Sequence, residues 1–222
     1  TGRMLKSHPK IIENAVPFTM EADSLNCAVL GEDAEPGTDE FNLFIKEVRR
    51  EMTVKCGQKC TAIRRIIVPE RLMEDVQIAL GKQLAKTTIG NPEEESVRMG
   101  SLVNKEQVEE VRERVKELVA ESEIVFGGLD ETFEVIGADR SKGAFFSPIL
   151  LRNDRPFEQL KTHTVEAFGP VSTLLPYQSL DEAIELSQMG KGSLVSSITT
   201  YDNELAREFV LGTASHHGRI LV

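Results

Sequence analysis

The sequence predicts an α/β fold in which a parallel sheet is joined by helical crossovers, and three observations predict it. Short apolar runs alternate along the chain with amphipathic stretches in a strand, helix, strand, helix order. The run 62–68 is β-branched and ends at Pro69, which stops a strand. Polar residues suited to helix capping, Asn104, Ser179 and Asp202, stand immediately ahead of helical patterns.

Taken in order, the opening 1–6 fits neither a targeting peptide nor a strand with its own turn. It starts without methionine, as a piece cut from a longer chain does. Residues 16–21 read as a short extended piece or sheet edge, because Pro17 cannot donate to a ladder, and Glu21 ends it. The run 26–31 is a buried strand or short buried segment closed by Gly31. Pro36-Gly37 marks a turn. From Thr38, the residues Phe41, Phe44, Ile45, Val48 and Met52 recur at spacings of three and four, which predicts a helix that delivers the chain to a turn at Gly57. After the 62–68 strand, Leu72, Val76, Ala79, Leu80 and Leu84 make a second helix, and Gly90-Asn91-Pro92 a loop.

Asn104 and Gln107 have capping-box spacing before a charged helix whose apolar stripe is Val108, Val111, Val115, Leu118 and Val119. Ile124-Val125-Phe126 is a strand. The Gly127-Gly128 turn behind it opens no helix and is a poor phosphate cradle. Runs 133–136, 145–151, 171–177 and 193–200 read as strands. Helices carrying Ala183, Ile184 and Leu186, and then Leu205, Ala206, Phe209 and Val210, follow their caps. Residues 219–222 begin a last strand. No internal repeat or low-complexity segment is evident.

At 222 residues the simplest count is one large domain with a substantial core. A formal charge of −10 argues against nucleic acid as the partner, and no long uncharged apolar run suggests a membrane span. Three cysteines cannot all pair within one chain, so free thiols in a reducing, cytoplasmic compartment fit better than a secreted disulfide framework.

The chemistry is concentrated at Lys55-Cys56-Gly57-Gln58-Lys59-Cys60. Cys60 is the candidate nucleophile: it follows a Gly-Gln turn, and Lys59, Arg64 and Arg65 are placed to favour a thiolate, although strand alternation directs some of them elsewhere. The competing reading is a buried small hydrophobe. Cys56 and Cys60 lack the spacing of a zinc or dithiol motif, no second ligand pair completes a site, and no metal is expected. His216-His217 reads as an exposed pair in a polar turn, and His8 and His163 have no partners at ligand spacing. A thiol attacking a carbonyl forms a thioester that needs activated water, and Glu21 is the candidate base; the alternative is an ordinary exposed turn carboxylate.

Gly57-Gln58-Lys59-Cys60 with Thr61-Ala62-Ile63-Arg64-Arg65 after it, Glu21 upstream, and Val165-Glu166-Ala167-Phe168-Gly169-Pro170-Val171 downstream resemble the aldehyde dehydrogenase superfamily over nearly the whole chain. The resemblance implies that family's catalytic domain, a mostly parallel open sheet with helices on both faces. It implies Cys60 as catalytic thiol, Glu21 as general base, Glu166 holding the nicotinamide ribose and Phe168 packing beside the nicotinamide. The usual Glu-Leu-Gly-Gly-Lys after the base is here Glu21-Ala22-Asp23-Ser24-Leu25-Asn26. With Ile12-Glu13-Asn14-Ala15-Val16-Pro17-Phe18, this is similar to the dehydrogenase half of the bifunctional ring-opening enzymes of phenylacetate degradation, which oxidises a CoA-linked semialdehyde with NADP. The resemblance therefore implies NADP, with NAD possible, bound mainly by an N-terminal half ahead of Thr1. It also implies a small-molecule aldehyde substrate, a homo-oligomer at full length, 1–21 as a remnant of the coenzyme-binding domain, and 22–222 as the catalytic domain without its C-terminal tail.

Overall fold

The β-branched runs pair into a single seven-stranded sheet in a computed structural model that describes residues 2–21, 24–130 and 132–222. The strands are β1 (Cys27–Leu30), β2 (Arg65–Pro69), β3 (Glu123–Phe126), β4 (Ile149–Arg152), β5 (Val171–Tyr177), β6 (Ser193–Thr199) and β7 (His217–Leu221). Their order across the sheet is β3-β4-β5-β2-β1-β6-β7. Every neighbouring pair is parallel except β3 with β4, at one edge. Parallel neighbours need crossovers, and helices supply them.

Helix α3 (Asp39–Thr53) starts where Thr38 accepts the Phe41 N–H at 3.2 Å, and α4 (Met73–Leu84) follows β2 directly after a short 3-10 turn. Their apolar stripes, Phe44, Ile45, Val48 and Met52 with Val76, Leu80 and Leu84, pack on Ala28, Leu30, Ile66 and Val68 of one sheet face. Each such side chain, fully buried, contributes roughly 1.5–3 kcal/mol. The opposite face carries the alternate residues Cys27, Val29, Ile67 and Leu175, covered by α6 (Leu180–Gln188) and α7 (Asn203–Thr213). Beside them, α5 (Lys105–Val119) sets Val108, Val111, Val115 and Leu118 against Ile149, Leu151 and Val171. Helices on both faces are therefore dictated by the alternation of the strands.

Several details depart from the sequence reading. Residues 133–136 form no strand; Ile136 makes one isolated bridge to Gly90, because that short apolar run faces a loop instead of the sheet. The 145–151 run enters the ladder only at Ile149, and the 62–68 run only at Arg65. Residues 16–21 stay unpaired and exposed, save Phe18, which is half-buried. Two five-residue helices, α1 (Gly2–Lys6) and α2 (Pro9–Glu13), occupy the opening, the second capped by His8 Nδ1 accepting the Lys10 N–H at 3.2 Å. The last strand begins at His217, so that residue sits in the sheet, half-buried, and not in a polar turn.

Candidate active site

The segments that lead into β1, β2 and β5 meet at the amino ends of those parallel strands: Ser24 to Asn26, Gly57 to Arg64, and Glu166 to Pro170. Each is irregular, so its backbone groups need partners from outside the ladder. The side chains of Asn26 and Arg64 supply many of them.

Helix α3 ends in a 3-10 turn, Val54–Gly57, in which Lys55 (φ 54°), Cys56 (φ 54°) and Gly57 (φ 68°) are all left-handed. Such a run costs of order 1–3 kcal/mol per non-glycine residue and persists only where surroundings hold it. Gln58 helps to hold it. Its backbone N–H and its Nε2 both donate to the Lys55 carbonyl, at 3.1 and 3.0 Å, and its Oε1 accepts the Val103 N–H at 2.9 Å. Gly57 is obligatory twice over, by its positive φ and because a Cβ there overlaps the Gly169 carbonyl.

This turn separates the two neighbouring thiols. Cys56 is buried in the α5 core, and burial pushes its thiol up to about 12; Cys60 is exposed. A buried thiol with so high a pKa is inert at neutral pH, which leaves Cys60 as the accessible sulfur of the pair. The Cys60 backbone is fixed from below by Asn26, whose Nδ2 donates to the Cys60 and Ala62 carbonyls at 2.9 Å each. The Asn26 Oδ1 accepts the Ser24 hydroxyl at 2.7 Å and the Val195 N–H at 2.9 Å. That amide is buried and uses both ends fully.

Arg64 ties the turn to the Glu166 loop. Its Nη2 donates to the Gly57 carbonyl at 2.8 Å, its Nη1 to the Gly169 carbonyl at 2.6 Å and its Nε to Glu166 Oε1 at 3.3 Å, with Cζ 5.4 Å from the Phe168 ring centre. Burial works against the charged guanidinium, and Glu166 works for it. The second Glu166 oxygen, Oε2, accepts the Ser24 N–H at 3.2 Å. Gln107 adds a further tie: Asn104 caps α5 by accepting the Gln107 N–H at 2.8 Å, but the Gln107 amide closes no capping box and instead donates to the Phe168 carbonyl at 3.1 Å.

The cations expected beside the thiol are engaged elsewhere. Lys59 donates to both oxygens of Glu51, at 2.7 and 2.8 Å, and Arg65 points to the opposite sheet face, where it holds the Leu25, Leu186 and Ser187 carbonyls. Thus Cys60 and the Glu166–Phe168 loop are brought into one cluster. Glu21 stands on exposed coil; Ala22 and Asp23 after it lie outside the described residues, and among the described residues no hydrogen bond joins Glu21 to Cys60. Its link to the cluster runs through the chain, to Ser24. The sequence reading gives Arg64 only as a cation favouring the thiolate and Gln107 only as a capping residue, and assigns no site role to Ser24 or Asn26. The available signal was polar residues inside or bordering buried runs, which demand partners.

Two residues apart on the loop leading into β5 stand the Glu166 carboxylate, its side chain 10% exposed, and the half-buried Phe168 ring. Among the described residues no group of three or more His, Cys, Asp or Glu is arranged to hold a metal, and no helix is long and apolar enough to cross a membrane.

Comparison with known proteins gives a consistent result. The model of the aldehyde dehydrogenase family matches residues 1–215. The chain is 44% identical over 222 residues to a 3,4-dehydroadipyl-CoA semialdehyde dehydrogenase of Aromatoleum evansii, covering all of this chain and 43% of that protein. It is 46% identical over 126 residues to Protein MaoC of Klebsiella aerogenes, covering 56% of this chain and 35% of that one. Among solved structures, a betaine aldehyde dehydrogenase of Staphylococcus aureus shares the fold with a TM-score of 0.81 at 23% identity, covering 100% of this chain and 42% of that one. An aldehyde dehydrogenase C mutant of Pseudomonas syringae, complexed with NAD+ and octanal, superposes with a TM-score of 0.80 at 22% identity, covering 99% of this chain and 42% of that one. The chain thus spans less than half the length of these relatives.

Proposed function

The chain belongs to the aldehyde dehydrogenase family, and we propose that it carries the thiol half of an NADP-dependent enzyme that oxidises a CoA-linked semialdehyde to the acid through a cysteine thioester. The observation that supports this best is the exposed Cys60 on a strained turn locked against the Glu166–Gly169 loop. The 44% identity over the whole chain to a dehydrogenase named for a CoA semialdehyde supports the substrate class. In this reading residues 22–222 are the catalytic domain and 1–21 a remnant of the coenzyme-binding domain. The full-length protein is a cytoplasmic homo-oligomer acting in phenylacetate degradation.

Cys60 adds as thiolate to the aldehyde carbon, and Asn26, by donating to its carbonyl, fixes the backbone from which the sulfur projects. A nicotinamide dinucleotide, when bound, supplies the hydride acceptor. Glu166 would hold its sugar and Phe168 would lie beside its ring. The acyl group then left on Cys60 is released by water whose proton Glu21 takes, a general-base role worth roughly 100- to 10,000-fold in rate. The exposure of Glu21 suits a group that acts through water.

The test is turnover of the full-length protein with a CoA-linked semialdehyde and NADP. Cys60→Ala abolishes dinucleotide reduction, whereas Cys56→Ala, which removes a buried core thiol, retains it. Equal activity of Cys60→Ala and the parent protein overturns the assignment.

A further inference from the structure

We propose that Arg64 is a positioning residue that makes the thiol turn and the Glu166–Gly169 loop one mechanical unit, so that a dinucleotide held by the loop is felt at Cys60. The inference rests on the reading that Cys60 is the nucleophile and that the loop holds the dinucleotide.

Three features carry it. First, one planar guanidinium reaches three acceptors on two segments: the Gly57 carbonyl, the Gly169 carbonyl and Glu166 Oε1. Its side chain is only 4% exposed, so water cannot readily take over those bonds. Second, a Cβ on Gly57 would overlap the Gly169 carbonyl, so the two segments are in backbone contact there, and the Gly57 and Gly169 carbonyls both accept from the one guanidinium. Without a shared cation there, both oxygens lose their charge-assisted donor. Third, Gly57 lies three residues before Cys60, and its carbonyl also accepts the Lys59 N–H at 2.9 Å. A shift of the guanidinium is passed to the residue next to the thiol.

Glu166 is the input. A sugar hydroxyl that donates to its carboxylate weakens the hold of that carboxylate on Arg64, and Arg64 then redistributes toward its two carbonyls. The fork geometry is essential, because three donors in fixed directions span the two segments and a lysine ammonium on a flexible stem does not. Arg64 touches no reacting atom in this scheme. It acts through Gly57 and Glu166.

The experiment measures iodoacetamide labelling of Cys60, by peptide mapping, in the full-length protein with and without NADP. It is paired with KM and kcat for NADP, in the parent, Arg64→Lys and Arg64→Met proteins. In the parent, NADP changes the labelling rate. Arg64→Met raises KM for NADP about tenfold, the size of one lost charge-assisted hydrogen bond, and abolishes the NADP effect on labelling. Arg64→Lys recovers part of the KM and none of the labelling effect, a split that a role in folding alone does not produce. Melting curves establish that each variant is folded, and the lysine variant decides the question if the methionine variant is not. An NADP effect on labelling that is absent in the parent, or equal in parent and Arg64→Lys, overturns the proposal. If Cys60→Ala remains active, the functional reading itself fails; if Cys60→Ala is inactive while Arg64→Lys keeps the full NADP effect, only the role of Arg64 fails.

Discussion

Arg64 and Arg65 are adjacent, both buried, and serve opposite regions of the molecule. Arg64 faces a cluster of loops that includes a half-buried carboxylate and ring, and its bonds join segments that carry chemistry. Arg65 is fully buried under α6 and donates to the Leu186 and Ser187 carbonyls in that helix's last turn, to the Leu25 carbonyl, and to His163 Nδ1 at 3.1 Å. Among the described residues no carboxylate pairs with Arg65. The negative end of the α6 dipole and the last-turn carbonyls there take the place of a counter-ion. The lesson is that the same residue type at consecutive positions, one just ahead of β2 and one at its first residue, is a connector on one side and a helix cap on the other, because the two side chains leave the backbone in opposite directions.

The largest expected effect tests that contrast through stability. Arg65→Met leaves the Leu25, Leu186 and Ser187 carbonyls without their guanidinium donor in a place water does not reach. The cost is about 3 kcal/mol or more in urea-induced unfolding. Arg64→Met costs less, since the Gly57 carbonyl keeps the Lys59 N–H and Glu166 keeps the Ser24 N–H once the guanidinium is gone. Equal destabilisation by the two variants breaks the comparison.

The sequence made the sheet and its helices readable because alternation and capping are local: Thr38, Asn104, Ser179 and Asp202 all cap the helices they precede. The Gly57 turn was readable as well, since a glycine between a helical stripe and a β-branched run has few other uses. The separation of Cys56 from Cys60 was not, because it depends on three consecutive left-handed residues, two of them non-glycine. Nor were the partners of Arg64 and Arg65. Periodicity says that neighbours face apart, but it does not say that Gly169, more than a hundred residues away, supplies a carbonyl to one of them. Gln107 misled in the same way: its spacing from Asn104 fits a capping box, yet its amide is drawn to Phe168 by a tertiary contact.

The Arg65 region also predicts a pH response. His163 is buried with Nδ1 against Arg65 and Nε2 against the Pro156 carbonyl at 3.0 Å, which fixes the neutral ring with its proton on Nε2. Burial first, and the Arg65 charge second, hold its pKa down at about 4, from an ordinary 6.5. The unfolded chain therefore binds a proton that the folded chain refuses between these values. Stability from this group is complete above about pH 6.5 and is lost as pH falls toward about 4, by at most about 3 kcal/mol. His217, held down to about 4 by burial and then by Arg65 and His216, adds in the same window. Urea midpoints measured across pH 4 to 7 flatten in His163→Gln, leaving the smaller His217 slope. An unchanged slope removes His163 from the account.

The smallest effect sharpens the boundary between the two regions at Lys59. That ammonium is one residue from Cys60, yet it is held by Glu51 of α3, with both side chains partly exposed at 24% and 20%. Partly exposed pairs contribute up to about 1 kcal/mol, and Glu51→Gln keeps the shape while removing the charge, so the loss in stability stays below that figure and shrinks further in high salt. If Glu51 only anchors Lys59, labelling of Cys60 at neutral pH is unchanged. If Glu51 withholds a cation from the thiol, the freed ammonium favours thiolate and labelling accelerates. The pairing distances, 2.7 and 2.8 Å to both carboxylate oxygens, make anchoring the expected outcome, with labelling within about twofold of the parent because a solvated lysine on a flexible stem is a poor substitute for a fixed charge.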